Sequence, residues 1–260
     1  MLIKKGLASS KPFIINLLAS FFALLIQIPY ALLYQVDLHY FPLIFTFAVL
    51  ANFPTFAFPY IICKTDISLA GTVLAIYPIY TVLLSTIFLR EQVNIVQIFG
   101  ILLIVAGLLM VLKVNIKKMK VSRWLFWALL VSVAMGVGAF INKLSIVRFG
   151  LPSYVLVAAL SNIPCLLITR VFDHDPIKLN INRKILFVVL SGNILMPLGV
   201  LFLYIALSNG PASLVSPIVS IYPAITVILA YCYLKERIER TKIYGIAAII
   251  LGVLLLAVRF

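Results

Sequence analysis

The sequence predicts an all-α polytopic membrane protein of about nine transmembrane helices, arranged as an inverted-repeat bundle. Three observations predict it. The 260-residue chain is 64% hydrophobic and only 11% charged, with a mean hydropathy of +1.20, whereas soluble domains are about 45–50% apolar and about 25% charged. Its charges cluster between apolar runs of about 20 residues, the helix length that spans the roughly 30 Å hydrocarbon core of a bilayer. Finally, one segment occurs twice. Residues 76–109 and 221–254, offset by 145 without a gap, share fourteen identities. They include Ile76-Tyr77-Pro78 with Ile221-Tyr222-Pro223, Thr81 with Thr226, Glu91 with Glu236, and Gly100 and Gly107 with Gly245 and Gly252. Apolar helices match leucine with leucine by chance, but not Tyr-Pro, Glu and two glycines in register, so the segment is a duplicated unit.

Taken in order, the spans fall at roughly 13–35, 40–62, 66–89, 95–113, 123–145, 151–171, 185–206, 212–234 and 240–259. The first follows Lys4, Lys5 and Lys11 as a signal peptide would, but its apolar run reaches about Gln35 without a small-residue cleavage site, so it reads as a retained helix. The second and sixth share Pro42/Pro152, Ala48/Ala158, Leu50/Leu160, Asn52/Asn162 and Pro54/Pro164 at an offset of 110. The third and fourth recur as the eighth and ninth. The seventh has no counterpart: the offsets differ by 145 − 110 = 35 residues, about the length of that helix with its flanking loop. The chain therefore divides into a first repeat, 1–120, of four spans lacking its third helix, and a second, 121–260, of five. Without that helix, the second and sixth spans run parallel rather than inverted. The longest breaks, Lys113–Arg123 and Arg170–Lys184, are too short to separate soluble domains.

Five spans, an odd number, separate the Glu91 loop from the Glu236 loop, so the two Tyr-Pro units face opposite ways across the membrane. Secondary transporters are commonly built this way. Seventeen Lys and Arg residues fall on the side of the N-terminus and four, Arg90, Lys143, Arg148 and Arg259, on the other. The positive-inside rule then predicts a cytoplasmic N-terminus and an outside C-terminus. The net charge of +14 reads as this topology signal rather than a nucleic-acid surface, because the basic residues sit in short loops and not on one polar helix face. Cys63, Cys165 and Cys232 show no paired spacing and read as small apolar packing residues, not as a disulfide or a metal set.

Few residues offer chemistry. Pro78 and Pro223 are placed near the middle of their spans, where each would leave a kink and a free carbonyl. Beside them Tyr77 and Tyr222 offer a hydroxyl and an aromatic face toward a central pathway, or else a packed helix contact. Gly100 with Gly107, and Gly245 with Gly252, lie one heptad apart on a helix face and read as helix-packing positions. Glu91 and Glu236, each after a basic residue at a short turn, read as charges placed at helix starts. No Asp, Glu or His lies deep within a span, so no nucleophile–base set or carboxylate proton site is visible, and neither an enzyme nor a cofactor is expected. Of the polar side chains that remain, Asn52 and Asn162 recur in the second repeat and rank first as hydrogen-bonding groups for a neutral or zwitterionic solute.

The stretch Ala206-Leu207-Ser208-Asn209-Gly210-Pro211-Ala212-Ser213-Leu214-Val215-Ser216-Pro217, followed by Tyr222-Pro223, Leu234-Lys235-Glu236 and Gly245 to Gly252, resembles the EamA-like transporters of the drug/metabolite transporter superfamily. The match is clearest over 123–259 and extends in weaker form to 13–113. The resemblance implies two EamA-like repeats, here of four and five spans, around a substrate cavity that takes Tyr77, Pro78, Tyr222 and Pro223 from the family's proline-bearing helices. It implies a secondary carrier in the inner membrane that moves amino acids, metabolites or drug-like solutes by alternating access. Its expected partners are a small-molecule substrate, the lipid bilayer and a second copy of the chain. Members usually have ten helices and both ends in the cytoplasm, from which nine spans depart. The alternative is a shortened, non-transporting membrane partner or remnant of such a carrier.

Overall fold

The computed structural model describes residues 12–64, 76–111, 123–173, 183–222, 224–225, 227–228 and 239–257. Among the described residues are nine α-helices and no strand: α1 Pro12–Leu32, α2 Phe41–Lys64, α3 Tyr77–Phe88, α4 Ile95–Val111, α5 Arg123–Phe149, α6 Leu151–Phe172, α7 Arg183–Asn209, α8 Ala212–Val219 and α9 Arg240–Ala257. Five of them, α1, α2, α5, α6 and α7, are long and apolar enough to cross a membrane, and α3 and α4 are shorter apolar helices.

The side chains are distributed as a bilayer requires. Large apolar groups such as Phe21, Leu25, Phe99, Leu102, Phe202 and Leu254 are exposed, while Asn16, Gln27, Asn52, Asn142, Ser161 and Asn193 are buried. In water this would be an aggregation-prone surface over a costly interior. In lipid, exposed apolar groups cost nothing, and buried polar groups bind helix to helix.

Two compact units are built from interleaved segments, residues 1–63 with 141–209 and residues 64–140 with 210–260, and α5 contributes to both. In the first unit α1 lies against α6 and α7. It runs antiparallel to α6: the Arg170 guanidinium sits 5.3 Å from the Phe13 ring centroid at one end, and the Asp37 amide donates to Ser153 Oγ at 3.0 Å beyond the other. α2 runs parallel to α6, since Asn52 meets Ala158 and Ser161 while Tyr60 Oη, further along, donates to Asp173 Oδ2 at 3.0 Å. The connection from α5 to α6 is the single residue Gly150, at φ +84° and ψ 149°, a backbone region essentially closed to residues with a Cβ.

In the second unit α4 and α9 form the most extensive helix pair. Ile101, Ile104, Leu108 and Val111 of α4 share a buried core with Ile249 and Leu256 of α9 and with Ala224. α3 packs on α8, and on α5 through Gly136, where an added Cβ would meet the Tyr77 carbonyl oxygen at 2.7 Å.

One expectation changes here. The Tyr-Pro pair does not kink the interior of a described helix. Helix α3 begins at Tyr77, with Ile76 as its N-cap residue and Pro78 in its first turn. The missing proline N–H is there one of the donors a helix start leaves unused, so it costs no hydrogen bond. In the second copy α8 stops at Val219, residues 220–221 form a turn, and helical backbone resumes at Tyr222. The same local bond occurs at both Tyr-Pro pairs: the Ile79 amide donates to the Ile76 carbonyl at 3.0 Å, and the equivalent Ala224 amide to the Ile221 carbonyl at 2.9 Å. Pro223 and Glu236 lie outside the described residues.

Candidate functional site

The second unit holds the Tyr-Pro elements. Tyr77 is half-buried at the start of α3, and its hydroxyl donates to the Ser216 carbonyl of α8 over a long 3.5 Å. Pro78 is buried, whereas Tyr222 is 45% exposed. One turn beyond Tyr77, the fully buried Thr81 hydroxyl donates to the Gly136 carbonyl of α5 at 3.0 Å. The start of α3 is thus gripped by α5 through a small residue and a threonine, and its tyrosine reaches α8 through one long bond.

At the other end of α3 the contacts tighten. Both carboxylate oxygens of Glu91 accept backbone N–H groups at the start of α8, Oε1 from Ala212 and Oε2 from Ser213, each at 2.8 Å. With the end of α3 beside the beginning of α8, and Tyr77 reaching α8 nearer its C-terminus, the two helices run in opposite directions. In the first unit, Lys143 Nζ donates to the Leu207 carbonyl at 2.6 Å and so serves one of the carbonyls left open at the end of α7.

The first unit also holds a buried polar network. Asn52 Nδ2 donates to Ser161 Oγ at 2.9 Å and to the Ala158 carbonyl at 3.4 Å, and Tyr204 Oη donates to Asn52 Oδ1 at 3.3 Å. The Tyr204 ring meets the Tyr154 ring edge-on at 5.3 Å, and the Tyr154 hydroxyl donates to Asn142 Oδ1. One asparagine therefore ties α2, α6 and α7 together. Asn162 is half-buried, and among the described residues no hydrogen bond joins it to Asn52.

The four repeat glycines meet one another. A Cβ on Gly100 would lie 2.8 Å from the Gly252 carbonyl oxygen, and one on Gly107 2.6 Å from that of Gly245. The reciprocal contacts, Gly245 on Gly107 and Gly252 on Gly100, are both 2.7 Å. Each Cβ would strike backbone, which cannot swing aside, so α4 and α9 approach this closely only without side chains at these positions.

Comparison with known proteins places this arrangement. The profile of the EamA-like transporter family matches residues 1–113 and 122–258, nearly the whole chain. The chain belongs to the EamA-like transporter family. This EamA-like chain is 38% identical over 130 residues to the uncharacterized protein MJ1333.1 of Methanocaldococcus jannaschii, a match covering 50% of the chain and 93% of that protein. It also superposes on a protein of known crystal structure with a TM-score of 0.78 and 17% identity, covering 98% of this chain and 90% of the other, a likeness of fold alone. Family, helices and apolar surface together make it a multi-pass membrane protein.

Three features of this EamA-like chain escape a reading by residue type. The Glu91 carboxylate serves α8, 121 and 122 residues away, rather than its own turn. A signal for it exists: Pro211, the N-cap residue of α8, has no side-chain oxygen with which to cap it. Thr81 and Gly136 come together without any motif, and Tyr154 and Tyr204 look in the sequence like ordinary aromatic residues of apolar helices.

Proposed function

We propose that this chain is a secondary carrier that moves a small organic solute, an amino acid, metabolite or drug-like compound, across the cytoplasmic membrane by alternating access. The observation that carries the reading is the antiparallel pairing of α3 and α8 within one unit, each flanked by a copy of the Tyr-Pro segment with the same local hydrogen bond. Helices interrupted at corresponding places in two inverted repeats are where carriers bind solutes, because irregular backbone is tolerated at membrane depth only against protein or a water-filled cavity. In this unit Tyr77, Pro78, Tyr222 and Pro223 handle the substrate. In the other, Asn52 and Asn162 supply amide groups. Hydroxyls and amides select by hydrogen bonding rather than charge, which favours neutral or zwitterionic solutes.

The test is uptake or exchange by the purified chain in liposomes across a broad metabolite panel. Transport is expected, and Tyr77→Phe or Tyr222→Phe should lower it about tenfold, the loss of one hydrogen bond of about 1.4 kcal/mol. A specific observation favours a second reading, the shortened partner: only 12 residues separate α2 from α3, too few for a counterpart of the 27-residue α7. Transport by the unmodified chain would eliminate it, and silence across the panel would favour it over the carrier.

The bias of seventeen basic residues to four supports an orientation with the N-terminus in the cytoplasm and the C-terminus outside. A cysteine introduced at position 118 should accordingly be labelled by an impermeant maleimide only in inside-out vesicles; labelling in intact cells would reverse the orientation.

A further inference from the structure

We propose that Glu91 is a latch, a positioning residue that closes the end of α3 onto the start of α8, and that its release accompanies opening of one face of the carrier. The inference rests on the carrier reading and deepens it by assigning the element that holds one of the two states.

The clamp is built from both sides. Toward α8, the carboxylate accepts the Ala212 and Ser213 amides with both oxygens at 2.8 Å. These are charge-assisted bonds at the positive end of a helix, the strongest kind available there. Helix α8 has no substitute, because no side chain at Pro211 caps it. Toward α3, the Glu91 amide donates back to the Ser85 carbonyl at 3.3 Å, and the preceding Arg90 stands at φ +54°. A left-handed conformation is unfavourable for arginine, so the chain is held turned at the point that aims the carboxylate.

The clamp is one-sided. At the opposite end of the same helix pair, α3 and α8 share the 3.5 Å Tyr77 bond, and there α3 starts at its Tyr-Pro pair while the helical backbone of α8 breaks at residues 220–221. Such breaks let half-helices tilt without unwinding, whereas the Glu91 end cannot part unless two amides lose their acceptor. The fully buried hydroxyls of Ser85 and Ser213, which flank Glu91 through their own backbone groups, have no hydrogen-bond partner among the described residues. Buried polar atoms left unmatched in one arrangement call for an explanation, and a second arrangement of the same helices that engages them provides it.

The test is cysteine accessibility in the full chain with Cys63, Cys165 and Cys232 replaced by alanine. One reporter is Ala212→Cys, fully buried beside the latch; the other is Ile225→Cys, beyond the Tyr-Pro break. Glu91→Gln should raise maleimide labelling at 212 about tenfold and lower it at 225, the reciprocal change that a population shift requires. Equal labelling with and without the substitution overturns the proposal, as does a parallel rise at both reporters, which marks simple loosening. Where Glu91→Gln impairs folding, adding Pro211→Ser gives α8 its own cap. Labelling that stays shifted in this folded double variant supports the latch; labelling restored along with stability reduces Glu91 to a structural cap. The reporters need no substrate, so failure of the latch and failure of the carrier reading are separately visible.

Discussion

Gly107→Ala is expected to lower the thermal midpoint of the detergent-purified protein by roughly 2–12 °C. The added methyl meets the Gly245 carbonyl oxygen at 2.6 Å and Ile249 Cγ1 at 2.8 Å. The first is backbone, so α4 and α9 must separate along much of their seam. Overpacking of this kind costs about 1–3 kcal/mol, and a chain of this size loses about 2–4 °C per kcal/mol. Gly245→Ala should behave alike, since its methyl meets the Gly107 carbonyl oxygen at 2.7 Å. Gly199→Ala is the control: nothing lies within 4 Å of its added Cβ, and alanine is the better helix former. Its midpoint should hold or rise slightly. If Gly107→Ala and Gly199→Ala unfold at the same temperature, the seam does not depend on its glycines.

Asn52→Ala should destabilise the protein by about 1–2 kcal/mol, against under about 0.5 kcal/mol for Asn162→Ala. The two asparagines are equivalent in the repeat but not in the structure. Removing the Asn52 amide leaves the buried Tyr204 hydroxyl without its acceptor and takes a donor from Ser161, and orphaned buried groups are the costly kind. Asn162 stands in no such network among the described residues. Thermal unfolding of the two variants side by side decides it, and equal losses would mean that Asn52 does not organise the first unit. Tyr204→Phe should cost less than Asn52→Ala, because it removes one bond and leaves the amide donors engaged.

The contrast between these asparagines shows what the sequence makes legible. Repetition at an offset of 110 singles out Asn52 and Asn162 as related positions. Related positions need not touch, and the partner of Asn52 is Ser161, one residue and about 100° around the helix from Asn162. The glycines were easier, because only close backbone approach makes two helices retain Gly at the same heptad spacing. Their partners, each other, were not readable, since spacing says nothing of which helix faces which. The Tyr-Pro pair was legible as a special position and not as a helix start: proline fits the first turn of a helix as well as it kinks the middle, and the flanking residues are apolar either way. Glu91 was the hardest. Its role depends on a helix start more than a hundred residues away, and long-range backbone capping leaves no periodic trace.

The seam between α4 and α9 also orders events during synthesis. Gly107 and Gly245 are 245 − 107 = 138 residues apart, so at about 5–20 residues per second α4 waits roughly 7–28 s for its partner to be made. Throughout that interval its glycine face lies open to lipid or to any other helix leaving the translocon. Helix α9, made long after α4, is therefore the one that completes their seam, and a nascent chain stalled before Arg240 presents quality-control machinery with an unmated glycine face.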